Sequence, residues 1–250
     1  MDITTLPGLD AVLHTGATAV TALTELLTPV VGPMAAALAV VVLTLAVRVL
    51  LVPLSVLQVR AERDRRRLAP RIAELRRRAG RDTVRFQRSL QELYTAEGVS
   101  PLAGCLPVLA QAPVVSLLYT LCTHVSIDGT VNALLRATLA GIPLAQSAVA
   151  VVTSPLWVHA WVVLVLLAVL AVTVELTRRA QLHWNPVVAP GPAASDATAP
   201  GAAVAAGIAR WVPFVSVVFA AVVPLAAALY VVTSAVWTLG ERAALRRLVR

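Results

Sequence analysis

The stretch LAVRVLLVPL, residues 45–54, places one arginine inside an otherwise unbroken apolar run. Residues 33–47 carry no charged side chain, and the next charge after Arg48 is Arg60. Arg48 therefore lies near the middle of a segment that is long enough to cross a bilayer. A guanidinium at that depth costs about 2.5 kcal/mol or more. Either the run is not a membrane span, or Arg48 faces something other than lipid.

The composition favours the membrane interpretation. The chain has 250 residues, of which 58% are hydrophobic and 14% charged, and its mean hydropathy is +0.81. These values are typical of a polytopic membrane protein. Apolar segments that approach the roughly 20 residues of a spanning helix occur at 33–57, 105–124 and 157–177, and a fourth apolar block, 208–239, is interrupted by Pro224. Since the first basic residue is Arg48, we expect no cleavable signal peptide.

The distribution of basic residues predicts the topology. All 21 are arginines: twelve lie in 58–101, three in 178–210 and four in 241–250, whereas residues 1–32 contain none. Cytoplasmic segments collect basic residues, so we expect the N-terminus outside and the C-terminus inside. That orientation requires an odd number of spans, and block 208–239 must then cross twice, with a hinge at Pro224.

The predicted fold class is an all-α polytopic membrane protein, with five transmembrane helices around a hydrophilic groove and a cytoplasmic helical hairpin. The predicted order is an extracellular tail with an interfacial amphipathic helix (1–32), a first span (33–57), the cytoplasmic hairpin (58–101), a second span (102–124), an extracellular loop (125–156), a third span (157–177), a cytoplasmic loop (178–208), a fourth span (209–223), a fifth span (224–240) and a basic cytoplasmic tail (241–250).

Polar side chains on three of these spans indicate the groove. Thr44 lies one turn before Arg48, and two further helical stripes share the spacing of a single face. These stripes are Tyr230, Thr233, Ser234, Trp237 and Glu241 on the last span, and Ser116, Tyr119, Thr120 and Thr123 on the second. Hydroxyl groups in spans also serve as ordinary contacts between helices, and both interpretations stay open for each of them. Arg48 has no carboxylate at its own depth, so we infer a hydrated cavity around it.

The chain shows no motif of an enzyme. We find no phosphate-binding loop, no catalytic triad and no cluster with metal-ligand spacing. We therefore expect no enzymatic activity, no catalytic residue, no metal and no cofactor.

Several motifs resemble one family. They are Arg48 with Pro53, the segment PRIAEL (70–75), Leu93-Tyr94, the run GVSPLAGCLPVLAQAPVVSLLYTL (98–121) and the closing stretch 212–239. The part from Gly98 to Pro113 looks like G-x-N-P-x-x-G-C-x-P-x-x-x-Q-x-P, with Ser100 in place of the asparagine. Together they resemble the YidC/Oxa/Alb family of membrane protein insertases, in the five-span form typical of Gram-positive bacteria.

The resemblance implies an insertase that passes nascent membrane proteins from the cytoplasm into the bilayer of the bacterial plasma membrane without nucleotide hydrolysis. It implies that Arg48 attracts acidic residues of the incoming tail in a groove open to cytoplasm and lipid, and it adds Gln111 to the groove. The implied partners are nascent membrane proteins and the lipid bilayer, with the ribosome and the Sec translocon as candidates. No nucleic acid is expected beyond the ribosome.

Two other classes remain open. A small transporter or channel would explain the polar stripes, although we find no internal repeat of the kind that transporters show. A membrane-anchored protein could use the arginine-rich hairpin to bind RNA or anionic lipid. Reconstitution separates the three classes through client insertion, solute flux or nucleic-acid retention.

The topology can be tested by cysteine labelling in intact cells. Cysteines introduced near Thr15 or Asn132 should label from outside, and those at Ala79 or Ala194 only after permeabilisation, because a charged reagent does not cross the bilayer. A tag after Arg250 that proves external would contradict the double crossing of 208–239.

Overall fold

The computed structural model describes residues 9–80, 82–98, 126–127, 130–131, 137–184 and 211–248. Within these ranges the chain is mostly helical, as predicted. The elements are α1 (Leu9–Val31), α2 (Ala35–Leu50), α3 (Val52–Ala79), α4 (Thr83–Ala96), β1 (Ser126–Ile127), β2 (Thr130–Val131), β3 (Thr138–Leu139), β4 (Ile142–Pro143), α5 (Ala148–Thr153), α6 (Ala160–Trp184), α7 (Val215–Val222) and α8 (Leu225–Leu248), with short 3-10 helices at Gly32–Met34, Pro155–His159 and Val212–Phe214.

The first two helices pack side by side after a tight turn. The turn falls at Gly32, whose φ of 57° is a conformation that residues with a Cβ adopt at a cost. Gly32 also begins a 3-10 helix, Gly32–Met34, which has Pro33 in its first turn and leads into α2. Because the chain reverses here, α1 lies along α2 and places Val20 in the same core as Ala36 and Val40.

The predicted first span, 33–57, is not one unbroken helix. Helix α2 ends at Leu50, Leu51 forms a turn, and α3 begins at Val52 with Pro53 in its first turn. A proline has no N–H to donate to the preceding turn and restricts the residue before it. The interruption therefore falls at Leu51, two residues before Pro53 and three residues after Arg48.

Helices α3 and α4 form a helical hairpin in the arginine-rich segment. Gly80 ends α3 with a φ of 59°, and its N–H donates to the carbonyl of Arg76. Asp82 then caps α4, because its side chain accepts a hydrogen bond of 2.9 Å from the N–H of Arg85. The guanidinium of Arg76 lies over the ring of Phe86 at 5.6 Å and adds a contact between the arms.

The fold is mostly helical, and two pairs of short antiparallel strands lie in segment 125–156, which was predicted as a loop. Strands β1 and β2 pair antiparallel, and β3 and β4 pair with Leu139 opposite Ile142. The two residues between them, Ala140 and Gly141, both have positive φ, which is the geometry of a tight hairpin turn. A strand of two residues is too short to show the alternation of apolar and polar residues by which strands are recognised in a sequence.

The segment that follows strand β4 forms backbone hydrogen bonds with the start of α8. The N–H groups of Leu225 and Ala226 donate to the carbonyls of Gln146 and Leu144 at 2.8 and 3.1 Å. The first N–H groups of a helix have no partner within it, so this segment supplies the acceptors. It fixes where α8 begins.

Pro224 separates two helices, as the hinge interpretation expects, but their lengths are unequal. Helix α7 has 8 residues and α8 has 24, extending to Leu248 rather than ending near 240. Residues 241–248, ERAALRRL, are mostly strong helix formers, which explains why the helix continues into the segment predicted as a tail.

Helix α8 is central to the packing. One face places Leu225, Ala226 and Tyr230 in a core cluster with α2, α5 and the start of α6. The adjacent face places Ala227, Ala228 and Val232 in a second cluster with α6 and α7. Three successive small residues on α8 allow close approach of neighbouring helices on both sides.

By length and composition, two helical stretches among the described residues could cross a membrane. They are Thr15–Leu50, which includes the turn at Gly32, and Pro155–Gln181; Val212–Val222 is apolar but shorter. The predicted second span, 102–124, lies outside the described residues.

The close packing around α2 predicts that a larger side chain in its buried face destabilises the protein. Ala36 is buried in the first cluster, whereas Ala46 on the same helix is exposed. We expect Ala36→Leu to lower the free energy of unfolding by about 1–3 kcal/mol through overpacking. Thermal unfolding in detergent measures the effect, with Ala46→Leu as the matched control. Equal unfolding temperatures for the two variants would contradict the packing of α2 described here.

Candidate functional site

The structure brings two predicted groove residues together across 186 positions of sequence. Arg48 on α2 donates from Nε to Oγ of Ser234 on α8 at 3.0 Å, and its Nη2 donates to the same oxygen. The contact follows from the packing of α2 along α8. A forked guanidinium can direct two parallel N–H groups at one acceptor. Ser234 is buried, and Arg48 is half-buried.

Arg48 keeps unused hydrogen-bonding capacity. A guanidinium has five N–H donors, and the two contacts to Ser234 occupy two of them. No carboxylate of the described residues forms an ion pair with Arg48. The partner that the fold provides is therefore a neutral hydroxyl, which leaves the positive charge uncompensated within these ranges.

Thr44 and Tyr230, one turn from this contact, lie inside the protein. Thr44 is buried and donates to the carbonyl of Val40 on its own helix at 2.6 Å. Tyr230 is buried within the first core cluster. These two positions flank the contact between Arg48 and Ser234 on its apolar side, where they contribute packing and an intrahelical hydrogen bond.

The other end of the α8 stripe is more accessible. Thr233 and Trp237 are half-buried, and the indole N–H of Trp237 donates to Oε2 of Glu241 at 3.1 Å. Glu241 keeps its second oxygen, Oε1, buried and without a hydrogen-bond partner among the described residues. From Ser234 to Glu241 the stripe therefore runs from a neutral hydroxyl to a carboxylate over about 10 Å of helix.

Four predicted groove residues lie outside the described part of the chain. They are Gln111, Ser116, Tyr119 and Thr120, all from the predicted second span. Their place around Arg48 stays a prediction. In the described ranges, no group of three or more His, Cys, Asp or Glu side chains could hold a metal ion.

A charged contact between α3 and α8 was missed by the sequence reasoning. Glu62 on α3 accepts a hydrogen bond from Nη2 of Arg246 and lies 3.9 Å from Nη2 of Arg242. The two arginines are four residues apart and share a helical face, which would have been recognisable had residues 241–248 been read as helix. Their pairing with Glu62 across the fold had no signal in the sequence.

Within the α3–α4 hairpin, Glu97 joins the two arms. Its carboxylate lies 2.5 Å from Nη2 of Arg67 and accepts a second bond from Nη1 of Arg71. Both arginines are largely exposed, so water screens these pairs and each contributes little to stability. The hairpin is consequently joined by exposed charges and by a partly buried apolar seam.

Comparison with known proteins gives the family. The sequence profile of a family described as 60Kd inner membrane protein matches residues 26–250. Among curated relatives, the chain is 42% identical over 81 residues to the "Membrane protein insertase YidC" of Stenotrophomonas maltophilia (strain K279a), which is 32% of this chain and 14% of that protein. It is 43% identical over 82 residues to the protein of the same name from Cellvibrio japonicus (strain Ueda107), which is 33% of this chain and 15% of that protein.

A third relative with this name, from Methylococcus capsulatus (strain ATCC 33009 / NCIMB 11132 / Bath), is 41% identical over 81 residues, with 32% of this chain and 15% of that protein aligned. The chain thus matches about one seventh of the length of these curated relatives.

We expect the contact between Arg48 and Ser234 to contribute to the stability of the fold. Ser234→Ala removes the neutral acceptor from a charged donor, which should cost about 1.5–3 kcal/mol. Ser55→Ala is the matched control, since the Ser55 hydroxyl donates only weakly, at 3.4 Å, to a carbonyl of its own helix. Unfolding in detergent, followed by circular dichroism, compares the two. A loss for Ser234→Ala no larger than that of the control would show that the contact does not contribute.

Proposed function

The chain belongs to the 60Kd inner membrane protein family, the family of the YidC and Oxa1 proteins, and we propose on that premise that it is a membrane protein insertase. It moves hydrophobic segments and short acidic tails of nascent proteins from the cytoplasm into the bilayer of the bacterial plasma membrane. It does so through a groove centred on Arg48 and without nucleotide hydrolysis.

The observation that carries this proposal is the state of Arg48. Arg48 belongs to an apolar helix and is half-buried. Its guanidinium donates to the neutral hydroxyl of Ser234 and has three further N–H donors beyond that contact. An uncompensated charge in a medium of low dielectric constant acts strongly on an opposite charge nearby. Free donors on such a charge suit a carboxylate that arrives with a client and leaves with it.

The geometry around Arg48 supports transient binding more than a fixed ion pair. A permanent carboxylate partner would neutralise the guanidinium and compete with any client. Ser234 instead orients the guanidinium through Nε and Nη2 without removing its charge. A bound acidic tail would gain charge-assisted hydrogen bonds from the remaining donors, and its release would return the site to the contact with Ser234.

We propose five spans with the N-terminus outside and the C-terminus in the cytoplasm, and a groove completed by Gln111, Ser116, Tyr119 and Thr120 of the second span. The separate helices α7 and α8 on either side of Pro224 support a double crossing of the last apolar block. Clients are nascent membrane proteins in the lipid bilayer, and the ribosome and the Sec translocon are the proposed partners.

The Arg48 substitutions test the proposal directly. In proteoliposomes without nucleotide, Arg48→Ala should insert a single-span client with an acidic tail about tenfold less than the wild type does. This corresponds to a loss of about 1.4 kcal/mol of interaction free energy. Insertion of a client with a neutral tail should be much less affected. Arg48→Lys should keep most of the activity, because an ammonium supplies the same charge with three donors. Protease protection of the client tail measures insertion.

An exposed hairpin arginine provides the control. Arg88 pairs only loosely with Glu92, at 3.4 Å, on the surface of α4, and Arg88→Ala should insert both clients like the wild type. Equal insertion of the acidic-tailed client by the wild type and Arg48→Ala would contradict the role of Arg48. Solute flux without client insertion would replace the proposal with a channel.

A further inference from the structure

Four charged side chains meet where α3 packs against α8. Glu62 is at the centre, Arg66 lies one turn along on α3, and Arg242 and Arg246 extend from α8. We name these four residues the Glu62 cluster. Its contacts join the base of the arginine-rich hairpin to the end of the last helix.

The Glu62 cluster contains more positive than negative charge. Arg246 donates to Oε2 of Glu62 and has only 12% of its side chain exposed. The closest nitrogens of Arg66 and Arg242 lie 3.7 and 3.9 Å from the carboxylate, which is beyond hydrogen-bond range. One carboxylate thus faces three guanidiniums, and the two outer guanidiniums make no hydrogen bond within the described part of the chain.

Among the described residues, Glu62 is the only carboxylate that pairs with Arg66 and Arg242. Burial lowers the pKa of Arg246, while the carboxylate of Glu62 acts in the opposite direction and the neighbouring arginines add to the lowering. An arginine nevertheless stays protonated in proteins, so the charge persists. An added anion would relieve repulsion among guanidiniums that are already partly withdrawn from water.

Access to the Glu62 cluster is from the side of Arg66 and Arg242. Their side chains are 37% and 28% exposed, compared with 12% for Arg246. Arg246 therefore anchors Glu62 inside, and Arg242 presents its donors to the surroundings. Of the Arg66 guanidinium only Nη1 is accessible, because its Nε and Nη2 are buried without a hydrogen-bond partner among the described residues. A phosphate can accept from two guanidiniums at once, in the bidentate geometry that arginine favours.

The depth of the Glu62 cluster matches the headgroup layer. Glu62 follows Leu57, the last exposed large apolar residue of α3, by five positions, and Arg242 follows Leu239, the last large apolar residue before the charged end of α8, by three. At 1.5 Å per residue, these positions lie roughly 5–8 Å beyond the apolar parts of the two helices. The polar layer on each side of the hydrocarbon core is about 5–7 Å thick, and phospholipid phosphates occupy that layer.

We propose that the Glu62 cluster binds the phosphate headgroup of an anionic phospholipid through Arg66 and Arg242. The carboxylate of Glu62 is the internal counter-ion, which holds Arg246 in place and limits the affinity of the site. The bound headgroup would join α3 and α8 on the cytoplasmic side. This inference requires only that the chain resides in a membrane and does not depend on insertase activity.

The experiment titrates the full-length protein in neutral detergent with phosphatidylglycerol or phosphatidylcholine. Native mass spectrometry counts bound lipid, and the unfolding temperature reports stabilisation. We expect the wild type to prefer phosphatidylglycerol. The double variant Arg66→Gln/Arg242→Gln should weaken that preference roughly thirtyfold, since each surface arginine contributes about 1 kcal/mol of attraction to anionic lipid. Glu62→Gln should strengthen the preference, because it removes the competing carboxylate.

Arg78→Gln/Arg88→Gln is the charge-matched control. Arg78 and Arg88 are exposed on the hairpin, paired with Glu74 and Glu92. Arg78 lies about 18 Å along α3 from Arg66, which is beyond the screening length of about 10 Å. This variant should keep the wild-type preference. Unfolding temperatures in phosphatidylcholine show whether each variant is folded, and the wild-type titration tests the site without any substitution.

Five outcomes would overturn the proposal. Four of them are equal binding of the two lipids by the wild type, an equal loss of preference in the control variant, a Glu62→Gln variant with a weaker preference, and retention of single-stranded RNA through the Glu62 cluster without any lipid preference. Displacement of phosphatidylglycerol by millimolar inorganic phosphate would assign the site to small anions and would equally contradict a lipid site.

Discussion

A guanidinium carried by an apolar helix needs polar partners that lipid does not supply, and the packing of α2 on α8 meets this requirement. The hydroxyl of Ser234 is held at the depth of Arg48 because small residues on α8 let the two helices approach closely. The same approach buries Thr44 and Tyr230 beside the contact. The position of one charge therefore depends on the register between two helices, and that register depends on how α8 begins.

The start of α8 is fixed by the segment before α5. The carbonyls of Leu144 and Gln146 accept from the first N–H groups of α8, and the tight turn before them brings Gly141 against His159. A Cβ at Gly141 would lie 3.2 Å from Nε2 of His159, so the turn lies against the 3-10 helix that precedes α6, and a larger residue would crowd it. From this end, α8 runs past Arg48 to the Glu62 cluster as one helix. The two charged regions are thus at fixed heights on a single rigid element.

The order of the helices could be predicted from the sequence where a single residue type, such as proline, determines the local structure. Pro224 marks a helix boundary that the structure contains. The three-to-four-residue spacing of polar side chains put Ser234 on the predicted groove face, and in the structure Ser234 accepts a hydrogen bond from Arg48. The prediction failed where a boundary depends on tertiary contacts. Helix α8 continues to Leu248, and Arg242 and Arg246 in this last part contact Glu62 of α3. From its composition alone, this basic segment could equally have been an irregular tail.

The two positive regions along α8, which are Arg48 of α2 at Ser234 and the Glu62 cluster, differ in how strongly their surroundings screen charge. Ser234 and Arg242 are eight residues apart, or about 12 Å along the helix. Near Arg242, water and ions screen an interaction within roughly 10 Å, so attraction there requires several guanidiniums together. Arg48 lies among apolar side chains, where one charge acts with little screening. A single arginine in the proposed groove and a group of arginines at the proposed lipid site would therefore be two ways to hold an anion, each set by the local dielectric environment.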